Sequence, residues 1–497
     1  MMPVPSQVDG VDAPTRSAGR SVTSGATWQL LSFAARVVAG LVAALLVARD
    51  GGPSELGTFQ LALNVGGLIS FLIGFGLPNL ITREVARDRT ATKPWLESAI
   101  VATLTSGVLL TAVTGGAWWT IGANPQLGVA VVLAVAATTC DACARQVFAA
   151  FWGWERMHLE TIATWAQEGL YLVLTVVILE RGGGAVGVVA GYLASRLLGA
   201  VVGWVLASAM TGSVLRPVPQ PALLRSIMRR SVPFAFDDLL SMAYIRIDTV
   251  LLGAMKGTYA VGIYQAGTNI VLNFNVLARM INSTMLARMS RSFAAGSTEL
   301  SRLRDVSLRL LSAVGIPAAV GAIVLAGDIV RLLYGPGFGA AVLCFQVLAL
   351  VIPVRMVGHT LGTTLTSADA QTQRTWAVAV AAVANVALNI LLIPRWSYLG
   401  AAWATVGTES ALLVAYAVLA RRRAGRSALL SSTPVPVLAC LPMVVVLEAT
   451  ASSGLVLRMA LGTVTYVLAF VGVAALRHPS GLRSPKHVVV DYLGGTA

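Results

Sequence analysis

Apolar runs near 20 residues long recur through almost the whole chain, each long enough to cross about 30 Å of hydrocarbon as a helix. Inside lipid every backbone N–H and C=O has to be satisfied within the segment, so runs of this kind fold as α-helices. They begin near residue 27, end near residue 476 and number about 14. Only 12% of the 497 residues are charged, against roughly 25% in a soluble protein. Apolar residues make up 56% before Gly is counted, more than a soluble domain of this size has interior to hide. The expected fold is therefore an all-α polytopic membrane protein.

The excess of 36 Lys+Arg over 22 Asp+Glu is arranged as a topology signal. With the N-terminus inside, 25 of the bases fall in inner segments, which include 145–160 and Arg374, six in outer loops and five within spans. That asymmetry predicts both termini on the cytoplasmic side of the inner membrane. The bases lie in short clusters between apolar runs, so a nucleic-acid partner is not expected. No stretch between runs is long enough for a soluble catalytic domain, and no G-x-x-x-x-G-K-[ST] loop occurs. The four His are scattered, and Cys140 and Cys143 sit in an apolar run without further ligands nearby. Neither a metal, a cofactor nor an enzymatic activity is expected.

An internal repeat organises the spans. Gly57, Phe59, Gln60 and Asn64 recur 205 residues later as Gly262, Tyr264, Gln265 and Asn269, and Arg83 recurs as Arg288. The offset covers an even number of helices, so both copies face the same way, as in one class of secondary transporter. The expected organisation is a disordered cytoplasmic tail over 1–25, a six-helix bundle over 26–210 and a linker over 211–231. A second six-helix bundle follows over 232–421, then two extra helices over 422–477 and a cytoplasmic tail over 478–497.

Ionisable residues at membrane depth mark function. Five Arg lie within the predicted spans: Arg36, Arg196, Arg246, Arg279 and Arg355. Asp141, Glu168, Asp248 and Glu409 lie at comparable depth. A guanidinium fork matches phosphate oxygens with two parallel hydrogen bonds. Arg36 and Arg246, each on the first helix of a repeat, are expected to face each other across the inter-bundle cleft, with Arg279 and Arg355 the next candidates. Internal ion pairs compete with that role: Arg196 with Glu168, and Arg355 with Glu409. Asp248 and Glu409 are the candidates for coupling to an ion. Gln60, Asn64, Gln265 and Asn269 either hydrogen-bond a polar ligand or tie helices together.

Several stretches carry a family resemblance. Ala48-Arg49-Asp50-Gly51-Gly52-Pro53 with Gly57 and Phe59 resembles the opening motif of polysaccharide flippases of the multidrug/oligosaccharidyl-lipid/polysaccharide exporter superfamily. Arg246-Ile247-Asp248, Leu333-Tyr334-Gly335 with Phe338, and Asn385 to Asn389 with Pro394 and Gly400 to Thr405 are similar to later motifs in the family's order. The lipid II flippases of that superfamily carry an Arg-Asp pair within helix 1; here Val37 follows Arg36, which favours a polysaccharide-unit flippase. The resemblance implies a V-shaped pair of bundles working by alternating access. It implies an undecaprenyl-pyrophosphate-linked oligosaccharide as cargo, with a polymerase and glycosyltransferases as partners. A cation-coupled multidrug antiporter of the same superfamily and, further off, a membrane glycosyltransferase or polymerase are the competing readings.

Overall fold

The computed structural model describes residues 16–121, 124–218, 220–295, 299–425, 427–477 and Tyr492. The first bundle comprises α1 (Arg16–Gly74), α2 (Leu77–Arg87), α3 (Thr92–Ile121), α4 (Pro125–Gly153), α5 (Met157–Glu180) and α6 (Gly184–Thr211). The second comprises α7 (Pro221–Ala294), α8 (Glu299–Val324), α9 (Ala326–Tyr334), α10 (Ala341–Ala349), α11 (Val351–Ser367) and α12 (Gln371–Ala424). The short α13 (Leu429–Ser432) leads to α14 (Pro434–Ala449) and α15 (Leu455–Arg477), which pack on each other and on α8. The first helix already begins at Arg16 and α7 at Pro221, so helix extends into both the expected tail and the expected linker. Residues 1–15 of that tail, and 478–497 apart from Tyr492, lie outside the described residues.

Three helices are bent double. The first turns at Gly52 (φ 71°, ψ −163°), α7 at Gly257 (φ 79°, ψ −176°) and α12 at Ser397 (φ 51°, ψ −130°). The conformation at the two glycines is one that a Cβ forbids. After Gly52, Pro53 opens the second arm of α1, where its fixed φ suits a first helical turn. Among the described residues, counting each arm once and α10 with α11 as one crossing, and leaving out the short α2, α9 and α13, gives fourteen helical segments in the order the sequence predicts. The protein is a multi-pass membrane protein.

Gly52 and Gly257 are themselves 205 residues apart, so the bends belong to the repeat. Beyond each bend the two hairpins meet backbone to backbone. A Cβ on Gly57 would overlap the Thr258 carbonyl, and one on Gly262 would overlap the Pro53 carbonyl. The first arm of α1 also carries buried small residues, including Ala39, Ala43, Ala44, Val47 and Ala48. Small residues let helices approach closely where lipid supplies no hydrophobic drive. Around this junction Arg49 donates to the carbonyls of Leu332 and Leu333, the latter at 2.9 Å, and Lys256 donates to that of Pro394 at 2.9 Å. At the opposite end Arg230 of α7 reaches Glu84 of α2 at 2.7 Å.

Gly57→Ala is expected to destabilise the full chain by roughly 1–3 kcal/mol, the usual cost of overpacking a tight contact. Gly116→Ala on α3, where an added Cβ meets nothing within 4 Å, is the control expected to leave the unfolding midpoint unchanged. Thermal unfolding in detergent compares them; equal midpoints would rule out a tight junction at Gly57.

Candidate functional site

Each bundle encloses a polar cavity. The first, of about 420 Å³, is lined by Arg36, Gln60, Asp141, Arg145, Glu168 and Arg196, with Asn269 contributed by α7. Its arginines are answered by carboxylates. Arg196 on α6 forks onto Glu168 on α5 at 2.7 and 3.1 Å and lies over the Tyr192 ring, 4.3 Å from its centroid. Both members of that pair are buried, which fits the internal ion pair anticipated for them. Arg145 pairs with Asp141 one helical turn earlier on α4, at 3.0 Å.

Arg36 departs from expectation. It does not point across the cleft toward Arg246; its Nη2 donates to Glu160 Oε1 at 2.6 Å and to Thr164 Oγ1 at 3.1 Å. The other Glu160 oxygen accepts the Trp152 indole N–H at 2.6 Å. Sequence segmentation had left Glu160 in an inner loop, but α5 starts at Met157 and puts Glu160 in its first turn, beside the first arm of α1. Arg145 and Arg374 were likewise assigned to inner segments, yet each lines a cavity. The missed signal is that a base one turn inside a helix end still faces the interior when its helix faces a cavity.

The second cavity, of about 630 Å³, is lined by Asp248, Arg279, Arg355, His359, Arg374 and Glu409 among others. Arg355 donates to Glu409 at 2.6 Å, the anticipated pair, and the Tyr244 hydroxyl donates to the same carboxylate at 2.9 Å. Asp248 is buried and accepts from the Thr249 amide at 2.7 Å and from the Tyr264 hydroxyl, which is also shared with Thr405 at 3.1 Å. Among the described residues no basic side chain comes within ion-pair distance of Asp248. Gln265 donates to Thr249 at 3.3 Å, so it braces the Asp248 segment from behind.

Of the five arginines predicted within spans, Arg246 and Arg279 have no carboxylate within 4 Å among the described residues, and both reach from the second bundle to the first. Arg246 donates through Nη1 to Asn64 Oδ1 at 3.2 Å, and its guanidinium lies flat against Gly67, where any Cβ would collide with it. Asn64 is itself held by its Nδ2 to the Gln60 carbonyl at 2.8 Å. The buried Nε–H of Arg246 has no acceptor among the described residues. Arg279 is exposed, and its guanidinium carbon stands 5.5 Å from the centroid of the Phe33 ring on α1. The arrangement is a seam that carries two unanswered positive charges, flanked by cavities whose other in-span charges are largely paired.

Residues 22–293 match the model of the family described as polysaccharide biosynthesis protein. The chain is 32% identical over 176 residues to the probable flippase AglR of Haloferax volcanii, covering 34% of this chain and 36% of that protein. It is 24% identical over 359 residues to the lipopolysaccharide biosynthesis protein WzxC of Escherichia coli, covering 69% of each. The match to AglR thus spans about a third of that relative, and that to WzxC about two thirds. Among solved structures, the lipid II flippase MurJ in an inward closed conformation superposes with a TM-score of 0.74 at 13% identity, over 92% of this chain and 100% of that one. An inward-facing multidrug resistance MATE family transporter of the MOP superfamily gives 0.65 at 15% identity, over 78% of this chain and 94% of that one. These likenesses show the fold, and the matched family model covers more than half of the sequence. The chain belongs to the polysaccharide biosynthesis protein family, built on the fold of the multidrug/oligosaccharidyl-lipid/polysaccharide exporter transporters.

Proposed function

We propose that the chain flips an undecaprenyl-pyrophosphate-linked oligosaccharide from the inner to the outer leaflet of the cytoplasmic membrane by alternating access. It acts as a transporter and not as an enzyme. One observation carries the reading: the two in-span arginines without a carboxylate are the two that cross the bundle seam. An Arg at the bilayer centre costs roughly 2.5–3.5 kcal/mol on insertion scales, so one left unanswered calls for an anionic ligand. The buried Nε–H of Arg246 has no acceptor among the described residues, and a phosphate oxygen that entered as the seam parts would supply one. Arg36 and Arg355 are already held by Glu160 and Glu409, and support the walls of the site instead. The names of AglR and WzxC support a lipid-linked saccharide as cargo.

The positive-inside asymmetry places both termini in the cytoplasm, with the Gly57–Gly262 junction outside. Alternating access then requires the outer contacts of Arg49 to part while Arg230 and Glu84 close, and the reverse. Moving two negative charges outward against a potential negative inside is favourable by about 4–5 kcal/mol per 100 mV. Asp248, buried without a basic partner, is the group proposed to couple an ion to the swing. The released units would pass to a polymerase, after glycosyltransferases have built them. A cation-coupled drug antiporter is the second reading, favoured by that same acid in the second cavity.

Deletion of the gene is expected to make one undecaprenyl-linked oligosaccharide accumulate on the inner leaflet, and the wild-type chain to relieve it. An unchanged lipid pool would refute the flippase reading and direct attention to drug efflux. Arg246→Ala is expected to slow flipping in proteoliposomes by roughly 30-fold or more, the loss of a charge-assisted phosphate contact worth at least about 2 kcal/mol. Arg246→Lys keeps the charge without the fork and is expected to fall between the two.

Glu168 supplies a contrasting case. Glu168→Gln leaves Arg196 buried beside a neutral amide and is expected to cost about 3–5 kcal/mol of stability. The double variant Glu168→Leu with Arg196→Met is expected to recover most of it and to retain flipping. A double variant as inactive as Arg246→Ala would move the ion pair into the transport path.

A further inference from the structure

We propose that the second cavity is a glycan subsite selective for an acidic sugar, with Arg374 taking the carboxylate of a uronate; the proposal rests on the flippase reading above. The cavity borders the seam, because Arg279 both lines it and reaches over Phe33 of the first bundle. A lipid-linked unit whose pyrophosphate sits at the seam therefore has its sugars directed into this space. At about 630 Å³ the cavity is larger than its counterpart in the first bundle, and within the range that encloses small-molecule ligands.

The walls suit a saccharide. Thr363, Gln371 and Asn385 offer hydroxyl and amide partners, and Tyr244 and Tyr416 add aromatic surface. Two of the charges there are spent on each other, since Arg355 holds Glu409. Asp248 is already satisfied by Thr249 and Tyr264. Arg374 is different: half-buried at the start of α12, it donates to Thr366 at 3.0 Å and to the Gln371 side-chain oxygen at 3.5 Å, both neutral. Among the described residues no carboxylate lies within 4 Å of it. Its packing face is prepared, because at Gly362 a Cβ would already press on the guanidinium Nε at 3.4 Å. A planar fork held in place with neutral neighbours is the donor set that a carboxylate completes in bidentate fashion. Arg279, Arg355, His359 and Arg374 all line this one cavity.

The test uses the full chain in proteoliposomes and two synthetic undecaprenyl-pyrophosphate trisaccharides that differ only in a terminal glucose or glucuronate. The wild-type chain is expected to flip the glucuronate lipid about tenfold faster. Arg374→Gln is expected to erase that preference, the ratio of the two rates falling to about one, with an unfolding midpoint in detergent equal to that of the wild type showing that the variant is folded. Arg374→Lys is expected to restore part of the preference. Equal wild-type rates for the two lipids, or a preference that survives Arg374→Gln, would overturn the subsite. If the wild-type chain moves neither lipid, the flippase reading fails and the subsite with it, a result distinct from equal transport of both.

Discussion

The contact at Gly57 and Gly262 fixes where the two bundles meet, and the rest of the molecule is arranged around it. Each glycine leaves room for a carbonyl of the other hairpin, so at this point the bundles touch through backbone, with the Leu61 side chain packed on Gly253 nearby. A contact of this kind is rigid along the helix axes, yet it presents few side chains that would resist a change of angle. The hydrogen bonds that Arg49 and Lys256 donate to carbonyls surround it as breakable fastenings. On the alternating-access proposal this narrow contact is what would have to part for the outward-open state, because packed interfaces have discrete arrangements and do not deform continuously.

Charge follows from that geometry. Within a bundle, helices are fixed neighbours, and an arginine there can be answered permanently: Arg196 by Glu168, Arg355 by Glu409 and Arg36 by Glu160. Across the seam neighbours change with the angle, and a permanent ion pair would lock the swing. The side chains that cross it at mid-molecule accordingly use weaker or neutral partners, Asn64 for Arg246 and the Phe33 ring for Arg279. The same feature that frees the bundles to move leaves positive charge unanswered in the one place both of them border.

The spans, the two-bundle organisation and several in-bundle ion pairs were legible in the sequence for simple reasons. Lipid forces apolar runs into helices, and the 205-residue offset that relates Gly57 to Gly262 also relates the bends at Gly52 and Gly257. A buried base needs an acid on a neighbouring helix, and Glu168 and Glu409 were visible for Arg196 and Arg355. What escaped was set by helix ends. A boundary placed a few residues late moves Glu160 out of the membrane on paper, and with it the partner that turns Arg36 away from the cleft. The roles of Arg145 and Arg374 were hidden by the same displacement. The familiar motifs prove to be largely mechanical: Arg49 of the opening stretch fastens onto the Leu332 and Leu333 carbonyls, and Lys256 onto Pro394. The charge that carries function at the seam depends on Asn64 and Gly67, which no pattern of charged residues would have selected.

One helix joins these parts. Residues 246 and 248 stand about 200° apart around an α-helix, since each step turns roughly 100°. The structure uses that angle: from the same arm of α7, Arg246 reaches the first bundle while Asp248 faces the cavity of the second. On the flippase proposal, a ligand that draws on Arg246 would pull the arm toward the seam, and a change of charge at Asp248 would alter how the arm sits against Tyr264 and Thr405. The two groups need no contact to influence each other, because a rigid helix two residues long between them transmits position directly. Coupling of cargo at the seam to an event in the second cavity therefore requires only that this arm have two resting positions, and the bend at Gly257 is where it would turn between them.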